Sequence, residues 1–348
     1  MQKANILKAG WLAVILAFVA ILSWEIHLRL SGNKITYDDN TALWANKRGM
    51  VYQPNDRATV FIGSSRIKYD LDIPTWQAMT GEDVVQLANQ GSNPRPVLSD
   101  LANDPNFKGK LVIDVTEELF FAAFAFNDGE THKKIEYYHH ITPTQRASFQ
   151  INHVLESQLV FLDQDEFSIN AMLDEWKLPH RPGTFPEPDF PADFGMCTFE
   201  RQSYMTPRFV ADTNMQNQVK AIWRFFGSLD TAAPVSGSRL DAILNSVKAD
   251  VDKIRSRGGE VIFVRTPSSG PTSQFEAHAY PRNLYWDRML TVTGCQGIFY
   301  TDYPGTAHFI CPEWSHLKPA DATVYTRNLV NILQKEKGWS MGRKEGTL

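Results

Sequence analysis

The sequence predicts an α/β fold: a parallel five-stranded sheet, a large and mostly helical insertion, and an N-terminal transmembrane helix. Three observations predict it. Short apolar runs rich in β-formers alternate with amphipathic helical stretches, as in a parallel sheet covered on both faces. One interval, 117–234, breaks that alternation. The N-terminal stretch is apolar enough to cross a bilayer.

The elements follow in chain order. From Ala4 to Trp24 the chain reads "ANILKAGWLAVILAFVAILSW", with no charge between Lys8 and Glu25. Lys3 and Lys8 precede the apolar run, so the positive-inside rule keeps the N-terminus cytoplasmic. A cleavable signal peptide is the alternative, but "FVAILSWEIH" has bulky residues where cleavage needs small ones. Residues 1–28 are therefore read as an uncleaved signal anchor and 29–55 as a polar stalk. An α/β domain over 56–340 follows, outside the cytoplasmic membrane, on its periplasmic or extracellular side.

Five strand runs are expected: Ala58–Gly63 ("ATVFIG"), Asp83–Leu87 ("DVVQL"), Lys110–Val115 ("KLVIDV"), Glu260–Arg265 ("EVIFVR") and the weaker Gly297–Thr301 ("GIFYT"). Between them lie helical stretches. "PVLSDLAND" follows the second run. Before the fourth, Leu240, Ile243, Leu244, Val247, Val251 and Ile254 form a helical stripe that Gly258-Gly259 ends. "KPADATVYTRNLVNILQKEKG" reads as an amphipathic final helix with Pro319 in its first turn. The insertion leaves the carboxyl end of the third strand, where open α/β sheets bind ligands, so it is either a lid over a cleft or a packing appendage.

Composition excludes some classes. A length of 348 residues, 43% hydrophobic and 21% charged, describes a globular chain with one large core. A formal charge of −4 gives no basic footprint for nucleic acid. Cys197, Cys295 and Cys311 permit at most one internal disulfide. The histidines lack zinc-type spacing; adjacent His139 and His140 point apart and read as surface loop. No metal or other cofactor is expected.

The chemistry-bearing residues sit at the two ends of the domain. Gly63-Ser64-Ser65-Arg66 ends the first strand run, where a tight turn puts a side chain at the carboxyl edge of the sheet. A serine hydroxyl is a poor nucleophile unless a base takes its proton. "PEWSHL", before the final helix, supplies one candidate base. There Glu313 precedes His316 by three positions, a spacing that brings a carboxylate beside an imidazole and fixes its tautomer. Asp302, after the fifth run, is the competing acid. Alone, "SS" reads as a turn and a His before a helix as a cap; their joint placement points to nucleophile and base.

In this order and placement the blocks resemble the SGNH/GDSL hydrolase superfamily. "GSS" is similar to its Gly-Asp-Ser block, with Ser64 in place of Asp and Ser65 at the nucleophile position. "EWSH" is similar to its Asp-x-x-His block, with Glu for Asp. "ANQGSNP" offers Gly91 where the family has an oxyanion-hole glycine. The resemblance spans the five runs and the final helix but not the insertion, and it implies a three-layer, flavodoxin-like sheet. The family's Gly-x-Asn-Asp block is replaced by "DVTEEL". The third oxyanion donor is thus absent, or is Thr116, or comes from Asn89 or Asn93; Ser65 and Gly91 would supply backbone donors.

The signal anchor, "GSSR", "PEWSHL" and "FVRTPSSGP" together look like the membrane-anchored branch that handles O-acyl groups on bacterial envelope polymers. That likeness implies a Ser65–His316–Glu313 triad that transfers an acyl group, acetyl by default, to water or to a sugar hydroxyl. It implies as partners an acylated glycan or acyl donor and a membrane-bound acyl-export protein. Arg66, Arg265 and Trp314 are assigned to substrate, with a structural salt bridge the alternative for Arg265. The competing reading is a catalytically inactive anchored module that binds polysaccharide or scaffolds an acylation complex.

Overall fold

The structure, a computed structural model, describes residues 2–54, 57–123, 125, 127–167, 171, 173, 188–229, 232–339 and 341. Its contacts divide into two units, Met1–Asp38 with Thr142–Pro186, and Asp39–Ile141 with Glu187–Leu348.

In the first unit, α1 (Gln2–Leu30) contains a 25-residue span, Ile6–Leu30, of mean hydropathy 2.3, exposed along its length except at Glu25 and Leu28. Length and composition let it cross a bilayer. The same unit holds α8 (Pro143–Glu156), a 3-10 turn at Val160–Leu162 and the short α9 (Gln164–Phe167).

The second unit is the α/β body. It begins with α2 (Thr41–Arg48), then β1 (Ala58–Ile62), α3 (Ser65–Asp70), α4 (Ile73–Thr80), β2 (Asp83–Gln86) and α5 (Arg95–Asn103). β3 (Lys110–Asp114), α6 (Glu117–Phe120) and α7 (Asp128–His140) follow. After the excursion come β4 (Met196–Cys197), β5 (Ser203–Tyr204), α10 (Pro207–Ala211), α11 (Thr213–Leu229) and α12 (Gly237–Ser256). β6 (Glu260–Arg265), α13 (Gly270–Ala279), α14 (Trp286–Thr293), β7 (Gln296–Phe299) and α15 (Pro319–Lys335) complete it.

The five principal strands form one all-parallel sheet in the order β2-β1-β3-β6-β7. Their apolar runs are continuous because both faces are covered. Val60, Ile62, Leu111, Ile113 and Phe263 pack with Trp44 of α2 and the apolar stripes of α5, α12 and α14. Phe61, Val112, Ile262 and Val264 pack on the other face with α3, α4 and α15. The strand order reverses between β1 and β3, and the crevice at such a switch point is where open α/β sheets hold ligands.

Several expectations are corrected. A stalk over 29–55 is too long: from Asp39 the chain belongs to the α/β unit, and Trp44 is fully buried. Asn40 caps α2 through its side chain, which accepts from the amides of Ala42 and Leu43. His139 and His140 end helix α7 rather than lying in a loop; His139 Nε2 meets Asp100 Oδ1 at 2.6 Å. The insertion, expected to be mostly helical, also holds the short antiparallel pair β4 and β5. Cys197, Cys295 and Cys311 are free thiols, within the limit of one disulfide that the sequence allowed.

Candidate active site

Gly63 leads from β1 into α3 at a position with no room for a side chain. A Cβ there would meet Asp114 Cβ at 2.6 Å and Ile67 Cγ2 at 2.8 Å. That close approach explains the glycine that precedes the serine pair. Ser64 is the N-cap of α3: its Oγ accepts from the amide of Arg66 at 3.3 Å. It is buried and bonded at 2.7 Å to Thr116 Oγ1, which donates in turn to Asp114 Oδ2. Ser65, one residue on, is only partly buried. The two hydroxyls have different partners, Thr116 for Ser64 and His316 for Ser65.

The partner of Ser65 comes from the segment before α15. His316 Nε2 lies 2.8 Å from Ser65 Oγ, and His316 Nδ1 lies 2.9 Å from Glu313 Oε1. Glu313 Oε1 also accepts the backbone amide of His316 at 2.6 Å. Glu313 is fully buried and His316 nearly so. With Nδ1 held against a carboxylate as a donor, Nε2 is left to accept the Ser65 proton. The second block is constrained as well: Trp314, next to Glu313, sits at φ 84°, and its carbonyl accepts from Ser269 N at 2.9 Å. A non-glycine residue in that region is a strained position that its surroundings must hold.

The sequence did not point to the second partner of Glu313. Trp223, on α11, donates its Nε1–H to Glu313 Oε2 at 2.5 Å. Both carboxylate oxygens are thereby engaged. Tyr69, Phe194 and Trp223 surround the imidazole, with ring centroids 4.5, 5.6 and 6.1 Å from that of His316. Burial, reinforced by the Glu313 charge, pushes the Tyr69 phenol well above its usual range, so it stays neutral beside the imidazole. The only sequence signal for this cage was the aromatic density of "AIWRFF" on a helical segment.

Other expected residues have other work. Asp302 is exposed and paired with Arg282, with Asp302 Oδ2 2.8 Å from Arg282 Nη2, so it is not the acid of this site. Asn93 is committed to the start of α5, where its Oδ1 accepts from Arg95 N at 2.9 Å. Asn89 donates to Thr131 Oγ1 and accepts from Arg201 and Lys134. Thr116 Oγ1 spends its proton on Asp114. Each of the three side chains thus has a donor bond within the protein, that of Asn93 being from Nδ2 to Ala122 O at 3.5 Å. Gly91 is closer to expectation: its loop runs beside the first block, where Asn89 N donates to Gly63 O at 3.1 Å. At φ 60° its backbone is left-handed, and a Cβ would meet Asn127 Nδ2 at 2.9 Å.

The two arginines assigned to substrate are buried in ion pairs. Arg66 is buried, bonded to Ser315 Oγ at 3.2 Å and paired with Glu276. Arg265 is buried between Glu276 and Glu117, 3.0 Å from the latter. Arg66 thus links the residue after Ser65 to the residue before His316. The desolvation that burial imposes on Glu276 is outweighed by these two cations, which hold its carboxyl down to about 2. Trp314 is partly buried, with the guanidinium of Arg224 4.7 Å and the ammonium of Lys220 5.6 Å from its ring centroid. Among the described residues no group of three His, Cys, Asp or Glu side chains is placed to hold a metal ion. No family model and no curated protein matches the chain.

Proposed function

We propose that the protein is a serine-dependent acyl-transfer enzyme, acting on acyl esters of a cell-envelope glycan from the outer side of the cytoplasmic membrane. One observation carries the chemistry: Ser65 Oγ, His316 and Glu313 form an unbroken hydrogen-bonded line of 2.8 and 2.9 Å at the carboxyl edge of a parallel sheet. A neutral imidazole in that tautomer is a general base for a hydroxyl.

In the mechanism, Ser65 Oγ bonds to the ester carbonyl carbon while His316 Nε2 takes the hydroxyl proton. The negative charge on the carbonyl oxygen is assigned to the backbone amides of Ser65 and Gly91. Collapse breaks the bond to the leaving alcohol, which takes the proton from His316. The acyl-serine then passes its acyl group to water or to a sugar hydroxyl, deprotonated by the same imidazole, and Ser65 regains its proton. Glu313 holds the imidazole in place and stabilises its charged form.

The SGNH-like fold reading is supported by the strand order, the second-first-third-fourth-fifth order of flavodoxin-like sheets. The likeness of "GSSR" and "PEWSHL" to the membrane-anchored branch of that superfamily supplies the substrate class and the acetyl group. The apolar α1 and the basic residues before it supply the anchoring and its direction.

An inactive glycan-binding module is the second reading. It is favoured by the donor bonds that Thr116, Asn89 and Asn93 make to Asp114, Thr131 and Ala122 in place of an oxyanion. A serine-reactive fluorophosphonate separates the two. Stoichiometric labelling of Ser65 in the full-length protein supports the enzyme; a folded protein that resists the probe supports the module.

A further inference from the structure

α8 has its amphipathicity reversed. Phe149, His153 and Glu156 share one face and are partly buried, while Ile151, Val154 and Leu155, on the opposite face, are 63, 55 and 46% exposed. No residue of this 14-residue helix is fully buried. Its start is nonetheless well built, with a capping box between Thr142 and Gln145 and a proline at its first position. A firmly capped helix that turns Ile, Val and Leu outward needs a cover.

The first unit itself indicates the cover. Glu25, near the C-terminal end of the apolar span in α1, accepts the amides of Val160 and Phe161, each at 3.1 Å. Arg29 Nη2 donates to Gln158 O at 2.8 Å. The chain immediately after α8 is thus bonded to the end of the one described helix that is long and apolar enough to cross a bilayer. A bilayer around α1 has its polar boundary near Glu25 and Arg29, so α8 is held at that boundary.

We propose that α8 is an interfacial helix that lays Ile151, Val154 and Leu155 into the lipid surface beside α1. Interfacial helices of this kind seat their apolar face about 5–10 Å into the boundary between headgroups and acyl chains. Arg146 and Glu156 cancel, so the attraction is apolar and does not require anionic lipid. The inference rests on α1 spanning the membrane and is independent of the acyl-transfer reading. Its consequence is a second membrane contact within the first unit.

The test uses the full chain in nanodiscs of phosphatidylcholine, with an environment-sensitive fluorophore on Ile151→Cys, Leu155→Cys or, on another face, Asn152→Cys. Wild-type protein labelled in parallel gives the background from Cys295. Acyl-chain nitroxide lipid is expected to quench labels at 151 and 155 several-fold more than at 152, with the reverse for a water-soluble quencher. Equal access of all three positions to the soluble quencher overturns the proposal. Protection of 151 and 155 from both quenchers also overturns it and makes the cover protein, a second copy included. A label on Leu16→Cys that lipid nitroxide fails to quench removes the anchor and the proposal with it, whatever fluorophosphonate labelling shows.

Discussion

Trp223 Nε1 lies 2.5 Å from Glu313 Oε2, so a residue of the long excursion holds the carboxylate that faces His316. A hydrogen bond to a charged, buried group contributes about 1.5–3 kcal/mol. Trp223→Phe keeps most of the ring packing against Phe190 and Phe194 but removes the donor. On an activated ester, kcat is expected to fall about 10- to 100-fold. KM should barely move, because Trp223 is assigned to the acid and not to substrate. A fall in melting temperature with unchanged kcat would make the bond merely structural.

The two serines of the first block separate cleanly. Ser65→Ala is expected to abolish turnover and fluorophosphonate labelling with little change in melting, since it removes one partly exposed hydroxyl. Ser64→Ala removes the cap of α3 and the bond to Thr116, and should cost about 1 kcal/mol of stability while leaving labelling at Ser65. Labelling that survives Ser65→Ala and disappears in Ser64→Ala shifts the nucleophile by one residue.

Much of this was legible in the sequence, for physical reasons that differ by element. "EVIFVR" reads as a covered strand because Val261–Val264 is a continuous apolar run, and all four of those positions are buried. The Glu313–His316 contact was legible because it is local. Trp223 was not, because nothing in a helix's own pattern says which distant carboxylate it will meet. Thr41–Arg48 was hidden by its polar surroundings, although Asn40 carries a readable cap signal. Arg66 and Arg265 looked like ligands for substrate because a lone sequence does not reveal that Glu276 lies between them. The bonds of the side chains expected at the oxyanion were hidden for a similar reason: the partners of Asn93, Asn89 and Thr116 as donors are Ala122 O, Thr131 Oγ1 and Asp114, which no local pattern names.

Glu313 rather than Asp302 is the expected acid. Glu313→Gln should lower turnover by about 10⁴, chiefly through the wrong imidazole tautomer. Glu313→Asp should retain part of the activity, because the shorter carboxylate still reaches toward the imidazole. Asp302→Asn breaks only an exposed pair with Arg282 and should leave kcat within about twofold, since such pairs contribute about 0–1 kcal/mol. Steady-state kinetics beside melting curves decide it; a dead Asp302→Asn enzyme with an active Glu313→Gln would reverse the assignment.

The buried charges behind the site predict a pH-dependent stability. Glu276 pairs with both Arg66 and Arg265 and Glu117 with Arg265, and Glu118 lies among the same groups as a third carboxylate. Burial, and then the negative charge of Glu276, push its carboxyl up to about 7. The folded protein therefore holds a proton that the unfolded chain, with an ordinary carboxyl near 4.5, gives up. Stability from this group is fully present below about 4.5 and is lost as pH rises through about 7. Glu118→Gln cannot ionise and has no such loss. The melting temperature of the variant minus that of the wild type should rise steadily across this window and level off above it. The same difference, measured at pH 4.5, 6 and 7.5, would be flat if Glu118 were ionised and solvated in the folded protein. Buried Asp70 and Asp114, also raised by desolvation, shift both proteins alike and drop out of the comparison.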